Sequence, residues 1–452
     1  MEGGWEEWMA NPVLRALLAL LLLAALITVV ALVSLWPDGS GRAAVREEAA
    51  AIGLAAERFE ATVSEVIDGE CDFSSEGNRW DCRTVVVVPL SGPDAGVLLA
   101  LPEFIKESGV PVPEVAVGDT VLIDYEPTTA FYSYGDQDRR WPLVVLFAIF
   151  AAVVVALGRL RGVLALIAMG TTVAILVGFV APSVLDGNDP VAVAVVAASL
   201  IAFVSLYMTH GFNPTTTVAL IGTLLALLLT LVLSSVFFDL SRFTGLATEE
   251  GVLLPVLAQD INMASLLLGG AIIGALGALD DVTATQVATV AELKAQNPGL
   301  NRRQLVSSGI RVGREHIAAT VNTLLLAYAG VSMPLLLLFV VSDLSLAMIA
   351  NSEIVAVEIV RTLCGSLGLI AAVPITTWLT AVLVSAGTPS DDHHLETETD
   401  TELEANTDAD TDTDTDELFV VCPVDGPATF EDSWGWARSG GRSHEGVDMM
   451  AD

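Results

Sequence analysis

The sequence predicts an α-helical polytopic membrane protein of about eight transmembrane helices, carrying one small extracytoplasmic β domain of barrel or OB-like type. Three observations predict it. Of 452 residues, 53% are hydrophobic and the mean hydropathy is +0.64, too apolar for a soluble chain of this length. Several apolar runs of roughly 17–25 residues meet the length a helix needs to cross the hydrocarbon core, where it satisfies its own backbone polar groups. One segment, 37–140, lacks such runs and shows short alternating patterns that read as strands.

Taken in order, residues 1–36 read as an N-terminal transmembrane anchor. The apolar run 13–36 exceeds the roughly 7–15 residues of a signal-peptide core and ends in SLWPDG, with Trp36 suited to the interface. In 37–140 an alanine-rich helix near 43–60 leads into ATVSEVI, RTVVVVPL, GVLLAL and VAVGDTVLIDY, with Gly118-Asp119 as a hairpin signal. The bland reading of this domain is a cap or docking module. Cys71 and Cys82 lie within it and are disulfide candidates; spacing alone leaves two free thiols as the alternative.

Residues 141–387 read as a seven-helix membrane domain with spans near 142–157, 163–181, 190–207, 214–238, 263–279, 317–341 and 364–386. Trp141, Tyr207 and Trp378 fall near span ends, as interfacial aromatics do. With the N-terminus inside, Arg159, Arg161, Lys294, Arg302, Arg303, Arg311 and Arg314 lie in cytoplasmic loops, against Arg242 and Arg361 outside. The asymmetry predicts cytoplasmic N- and C-termini and an outer β domain, in a bacterial plasma membrane. The segment 343–362 reads as an amphipathic surface helix or a re-entrant element. Residues 388–418 are low in complexity, acidic and free of Lys and Arg, hence a disordered linker, with His393 and His394 solvated in it. Residues 419–452 form a separate short fragment.

The stretch 269–330 holds the densest pattern of special residues. Gly270, Gly274 and Gly277 form a small-residue face suited to close helix packing. Two acids follow, Asp280 and Asp281. Asp281 shares a helical face with Thr285 and Glu292. Acids near hydrocarbon are costly and commonly face a bundle interior or a water-filled cavity, although these two also read as a plain span terminus. Across the basic loop, Arg311, Arg314 and Glu315 precede Asn322 and Thr323, which lie inside the next span. Together Asp281, Arg311, Arg314, Glu315, Asn322 and Thr323 make a candidate transport cluster, with Arg314 the natural counter-charge of Asp281. The alternative is a clasp holding two helices in register.

The segments GGAIIGALGALDDV, SGIRVGREHIAATVNTLLLAYAGVSMPLLL and NSEIVAVEIVRTLCGSLGLIAAVPITT resemble the YibE/F-like family of bacterial multi-pass membrane proteins, over roughly residues 60–386. The resemblance implies the architecture above. It singles out Asp281, Gly313, Arg314, Asn322, Thr323, Tyr328, Asn351, Glu353, Arg361 and Pro374 as polar or special positions. Asp280 departs from the family pattern, which has a small apolar residue there, and Glu315 stands where an aspartate is common. The last thirty residues resemble the opening of a lysostaphin/LytM-like zinc metallopeptidase domain, which implies His444 and Asp448 as metal ligands. A catalytic zinc needs a third protein ligand and a water. No HxH follows before Asp452, so the fragment is expected to be vestigial, with no metal held.

A net charge of −35 argues against nucleic acid as a partner. No phosphate-binding loop, HExxH or GxSxG motif is present. The expectation is therefore a non-enzymatic protein without a cofactor, a secondary transporter or permease. Its partners would be membrane lipid and a small solute or ion; further copies of the chain are an option the sequence leaves open. The competing expectation is a non-transporting scaffold or sensor whose β domain binds a partner.

Overall fold

In a computed structural model, the described residues are 12–51, 56–72, 79–108, 112–341 and 344–385, with four short strands between 428 and 451. The chain divides into two compact units, Met1–Ser390 and Asp391–Asp452.

The first unit is mostly helical. Helix α1 (Pro12–Ser34) and the short α2 (Ser40–Ala51) precede a small sheet of six strands, β1 (Glu57–Glu70), β2 (Asp81–Pro89), β3 (Leu99–Ala100), β4 (Phe104–Ile105), β5 (Thr120–Glu126) and β6 (Phe131–Gln137). Its order is β3-β2-β1-β5-β6, with β4 also on β2, and each pairing is antiparallel. Alternate residues Ala61, Val63, Val85, Val87, Val121 and Ile123 point into one apolar core. The long β1 serves both halves of the sheet, pairing with β5 at its start and β2 at its end. Among the described residues β6 does not pair back to β3 or β4, so the strand path is open; a closed OB-like barrel is not formed by these pairings. Cys71 and Cys82 are joined by a disulfide.

Charged pairs join the sheet to the membrane helices. Arg140, the first residue of α3 (Arg140–Ile175), reaches Glu60 at 2.5 Å and Asp138 at 2.8 Å. The hydrogen bond from Arg140 holds the Asp138 carboxyl down at about 2. Asp68, bonded by Arg83 and Lys106, is likewise held well below the usual carboxylate range. Asp186, beyond α4 (Ala181–Leu185), accepts backbone N–H bonds from Asp38, Gly39 and Gly41 at 2.7–2.9 Å. This fixes the chain leaving α1 against the end of the third helical stretch.

The remaining helices are α5 (Pro190–His210), α6 (Pro214–Ser241), α7 (Glu249–Leu257), α8 (Met263–Gln296), α9 (Arg302–Val331), α10 (Met333–Val341), α11 (Leu346–Asn351) and α12 (Glu353–Ser385). Prolines at the first helical position and side-chain caps from Asp189 and Asn213 start α5 and α6. Helices α6, α8 and α12 pack on one another, α5 lies on α8, and α9 lies on α12. The main core, with Leu206, Leu220, Ile272, Leu279 and Leu369, sits between them.

Six helical stretches are long and apolar enough to cross a membrane: Pro12–Ser34, Arg140–Leu185, Pro190–His210, Pro214–Ser241, Met263–Gln296 and Glu353–Ser385. Eight were expected, and two features account for the difference. Arg140–Leu185, at 46 residues, is counted as one. Yet it breaks at Arg159 (φ 49°, ψ −129°), and a Cβ on Gly162 would meet the Val154 carbonyl oxygen. A straight helix would hold those residues about 12 Å apart, so the chain reverses there. The second feature is α9, whose arginines and glutamate dilute its apolar run.

The segment 343–362 is not one surface helix. From Glu353 onward it is already the first turns of α12, and only Leu346–Asn351 forms a separate short helix. The Glu353 carboxylate accepts from the backbone N–H groups of Thr244 (2.7 Å) and Gly245 (2.6 Å) and from the Thr244 hydroxyl (2.8 Å). That clasp draws the start of α12 into the bundle. Cys364 is buried well inside α12.

The second unit contains two antiparallel ribbons, Ala428–Glu431 with Asp448–Ala451 and Ala437–Arg438 with Arg442–Ser443. The predicted linker 388–418 lies outside the described residues, as does His444, and Asp448 opens a strand. No arrangement of His444 and Asp448 as metal ligands is therefore defined. Among the described residues the acid and thiol side chains that converge are Cys71, Cys82 and Glu103. The disulfide removes both thiolates as ligands.

Candidate functional site: an acidic cavity between α3, α5 and α8

The reversal at Arg159 brings Gly158, Arg161 and Gly162 beside the end of α5, where Ser205, Thr209 and His210 lie. Helix α8 closes the third side with Gly277, Asp280, Asp281, Ala284 and Thr285. The cavity between them, open on one side, measures about 540 Å³. Gly277 lies four residues before Asp281, and Ala284 and Thr285 three and four after it, so the four share one face of α8. Asp281 is exposed towards the open side, whereas Asp280 is half-buried.

Asp280 sits where the cavity meets a buried polar seam. Its Oδ1 is buried and has no hydrogen-bond partner among the described residues. The Thr223 hydroxyl lies 2.6 Å from the Thr283 hydroxyl, which also reaches the Asp280 carbonyl oxygen at 3.2 Å. One turn on, the Gln286 amide donates to the Gly309 carbonyl (2.8 Å) and the Thr377 hydroxyl (2.6 Å), tying α8 to α9 and α12. Thr223 lies nine residues from the start of α6, about 14 Å along the helix axis. Asp280 is therefore well inside the bundle, not at its rim. An ionised carboxylate with an unbonded oxygen is costly at such a depth, and a bound proton or cation relieves that cost.

The structure does not assemble the expected transport cluster. Asp281 lines the cavity. Arg311, Arg314, Glu315, Asn322 and Thr323 are exposed on α9, and none of them lines the cavity. Among the described residues no ion pair joins Arg311 or Arg314 to Asp281 or Glu315; the close ion pair within the bundle is Arg361–Glu358 at 2.8 Å. The Thr323 hydroxyl is satisfied by the Ala319 carbonyl of its own helix. Arg161 and His210 supply the basic groups near the acids instead. Both stand at helix ends in the sequence. Their meeting depends on the chain reversal at Arg159, which a single non-helical residue makes.

The glycine assignment is also corrected. A Cβ on Gly270 or Gly277 would meet nothing within 4 Å, and Gly274 is exposed. That face leaves open space, and Gly277 widens the cavity. The glycines that permit close helix contact are others. A Cβ on Gly222 would strike Thr376, on Gly313 Val373, and on Gly368 Thr230.

Another cavity, about 660 Å³, is a groove on the β domain that includes Glu70, Asp72, Glu103 and Tyr132. Burial and a hydrogen bond to Asp94 push the Tyr132 phenol up to about 12.

Long apolar helices, a small antiparallel sheet and an internal acidic cavity define a multi-pass helical membrane protein. Within that class, the family model described as YibE/F-like protein matches residues 146–386. The chain belongs to the YibE/F-like family. No curated protein and no solved structure matches it.

Proposed function

We propose that the protein is a permease that moves a small cation, or a solute coupled to one, through the cavity between α3, α5 and α8. The observation that supports this reading most is the placement of Asp280. Its carboxyl has one unbonded buried oxygen, opens on a 540 Å³ cavity, and stands beside hydroxyls that can follow a change of charge. Asp281 adds a second acid at the mouth, where it raises the local cation concentration. In this reading both limbs of α3 and the α9–α10 pair cross the membrane, giving eight crossings. The termini are cytoplasmic in a bacterial plasma membrane, and the cavity opens to the cytoplasm.

Filling the cavity tests the proposal without touching a charge. Purified protein is reconstituted into liposomes containing ion-sensitive dyes, and flux is followed under imposed gradients of protons and of alkali and divalent cations. Wild type is expected to dissipate at least one gradient. Gly277→Leu, whose side chain enters open space, is expected to lower that flux about tenfold or more with the melting temperature in detergent unchanged. Flux no greater than in protein-free liposomes for every gradient would remove the transport reading. Undiminished flux in Gly277→Leu would remove the route.

A further inference from the structure

Helix α9 carries one packed face and one face that no described residue covers. Gly309, Gly313, Ile317 and Leu324 turn inward onto α8, α12 and the main core. On the opposite side Arg311, Glu315, Ala318, Asn322 and Leu325 are exposed. Their spacing of four, three, four and three residues is the repeat by which two helices keep one seam in contact along their length.

The depth of this seam gives it chemical meaning. Gly313 backs onto Val373 of α12. Asn322 lies nine residues further along α9, about 14 Å towards the end of α12 that begins at Glu353. It is then about 16 Å from that end of α12 and about 32 Å from the other, within the part of the bundle that hydrocarbon surrounds. Asn322 has no hydrogen-bond partner among the described residues. A primary amide facing lipid without a partner is unfavourable, and polar side chains in membrane helices bond across helix pairs.

We infer that this face is the contact between two copies of the chain, related by a two-fold axis along the membrane normal. The surface is self-complementary in the way such an axis requires. An asparagine amide both donates and accepts, so Asn322 pairs with Asn322 of a second copy. Arg311 and Glu315 are one turn apart, so each long arginine side chain reaches one turn along the seam to the other copy's glutamate. Ala318 lets the two backbones approach closely. A second copy is favoured over an unrelated protein because one short seam supplies both halves of each polar contact. The inference stands apart from the transport reading, since the seam and the cavity lie on different faces of the bundle.

Cysteine cross-linking in native membranes tests it. In a background with Cys364→Ala and Cys422→Ser, the Cys71–Cys82 disulfide kept, Asn322→Cys is treated with an oxidation catalyst. A disulfide-linked species of twice the chain mass is expected. Gly270→Cys, equally exposed on another helix, is expected to stay monomeric. In the same assay with Ala318→Cys as the reporter, Arg311→Glu is expected to reduce dimer yield about tenfold, and Arg311→Glu with Glu315→Arg to restore it. Monomer alone from Asn322→Cys, equal cross-linking at Gly270→Cys, or a product of some other mass would overturn the inference. So would a double swap no better than the single one.

Discussion

Replacing Asp280 by alanine is expected to lower flux through the reconstituted protein by roughly tenfold to a hundredfold and leave the fold no less stable. The two halves of that expectation rest on different physics. A charge-assisted hydrogen bond or ion contact at a desolvated carboxylate is worth about 1.5–3 kcal/mol, and each 1.4 kcal/mol is about a factor of ten in occupancy. Stability is expected to hold because the charged group gains so little from its surroundings. Its Oδ1 has no partner among the described residues, and the Thr223 and Thr283 hydroxyls retain each other. Alanine has the best helix propensity, so the α8 backbone accepts it. Asp281→Asn, on the exposed side of the same cavity, is expected to cost less than about threefold, because solvent screens that acid. A steady-state flux assay paired with thermal melting separates the two effects.

Gly313→Leu is expected to produce the largest loss of stability among single substitutions in the membrane domain. A Cβ there would lie 2.4 Å from the Val373 side chain and 3.0 Å from the Gln286 amide oxygen. Both contacts face a fixed partner, since Gln286 is held by Gly309 and Thr377. Either α9 moves off α12 or the Gln286 bonds break. Overpacking alone costs about 1–3 kcal/mol, and orphaning the buried amide adds about 1–3 kcal/mol. Gly270→Ala is the matched control. Its Cβ meets open space, and the better helix propensity of alanine favours the variant by about 0.5–1 kcal/mol. Melting in one detergent, with both variants beside wild type, checks the contrast.

The class of fold was legible because apolar run length is a strong, local signal, and the alternation in ATVSEVI and RTVVVVPL marked β1 and β2 in the same way. The stretch 269–330 stood out by its residue types, but the neighbours its parts meet were not legible, for a physical reason. Sequence spacing tells which residues share a helix face, not which neighbour that face meets. Gly270, Gly274 and Gly277 satisfy a packing pattern yet look into open space, while the isolated Gly222, Gly313 and Gly368 bear the close contacts. Asp280 and Asp281 differ by one position and 100° of helix rotation, which separates a half-buried acid from an exposed one. Arg161 and His210 join the acids only through a chain reversal at one residue. Asn322 was placed inside a span as part of the candidate cluster, and the structure leaves it exposed.

Transport by this route requires the cavity between α3, α5 and α8 to be an aqueous site reached from the cytoplasmic side. Accessibility of introduced thiols measures this directly. With Cys364 and Cys422 replaced and the Cys71–Cys82 disulfide kept, Thr209→Cys and Thr285→Cys are placed at the mouth and Gly277→Cys deeper in. In inside-out vesicles, a membrane-impermeant maleimide is expected to label all three, fastest at the mouth, and in right-side-out vesicles none. Absence of labelling from both sides, or labelling from the outer side, would contradict the account.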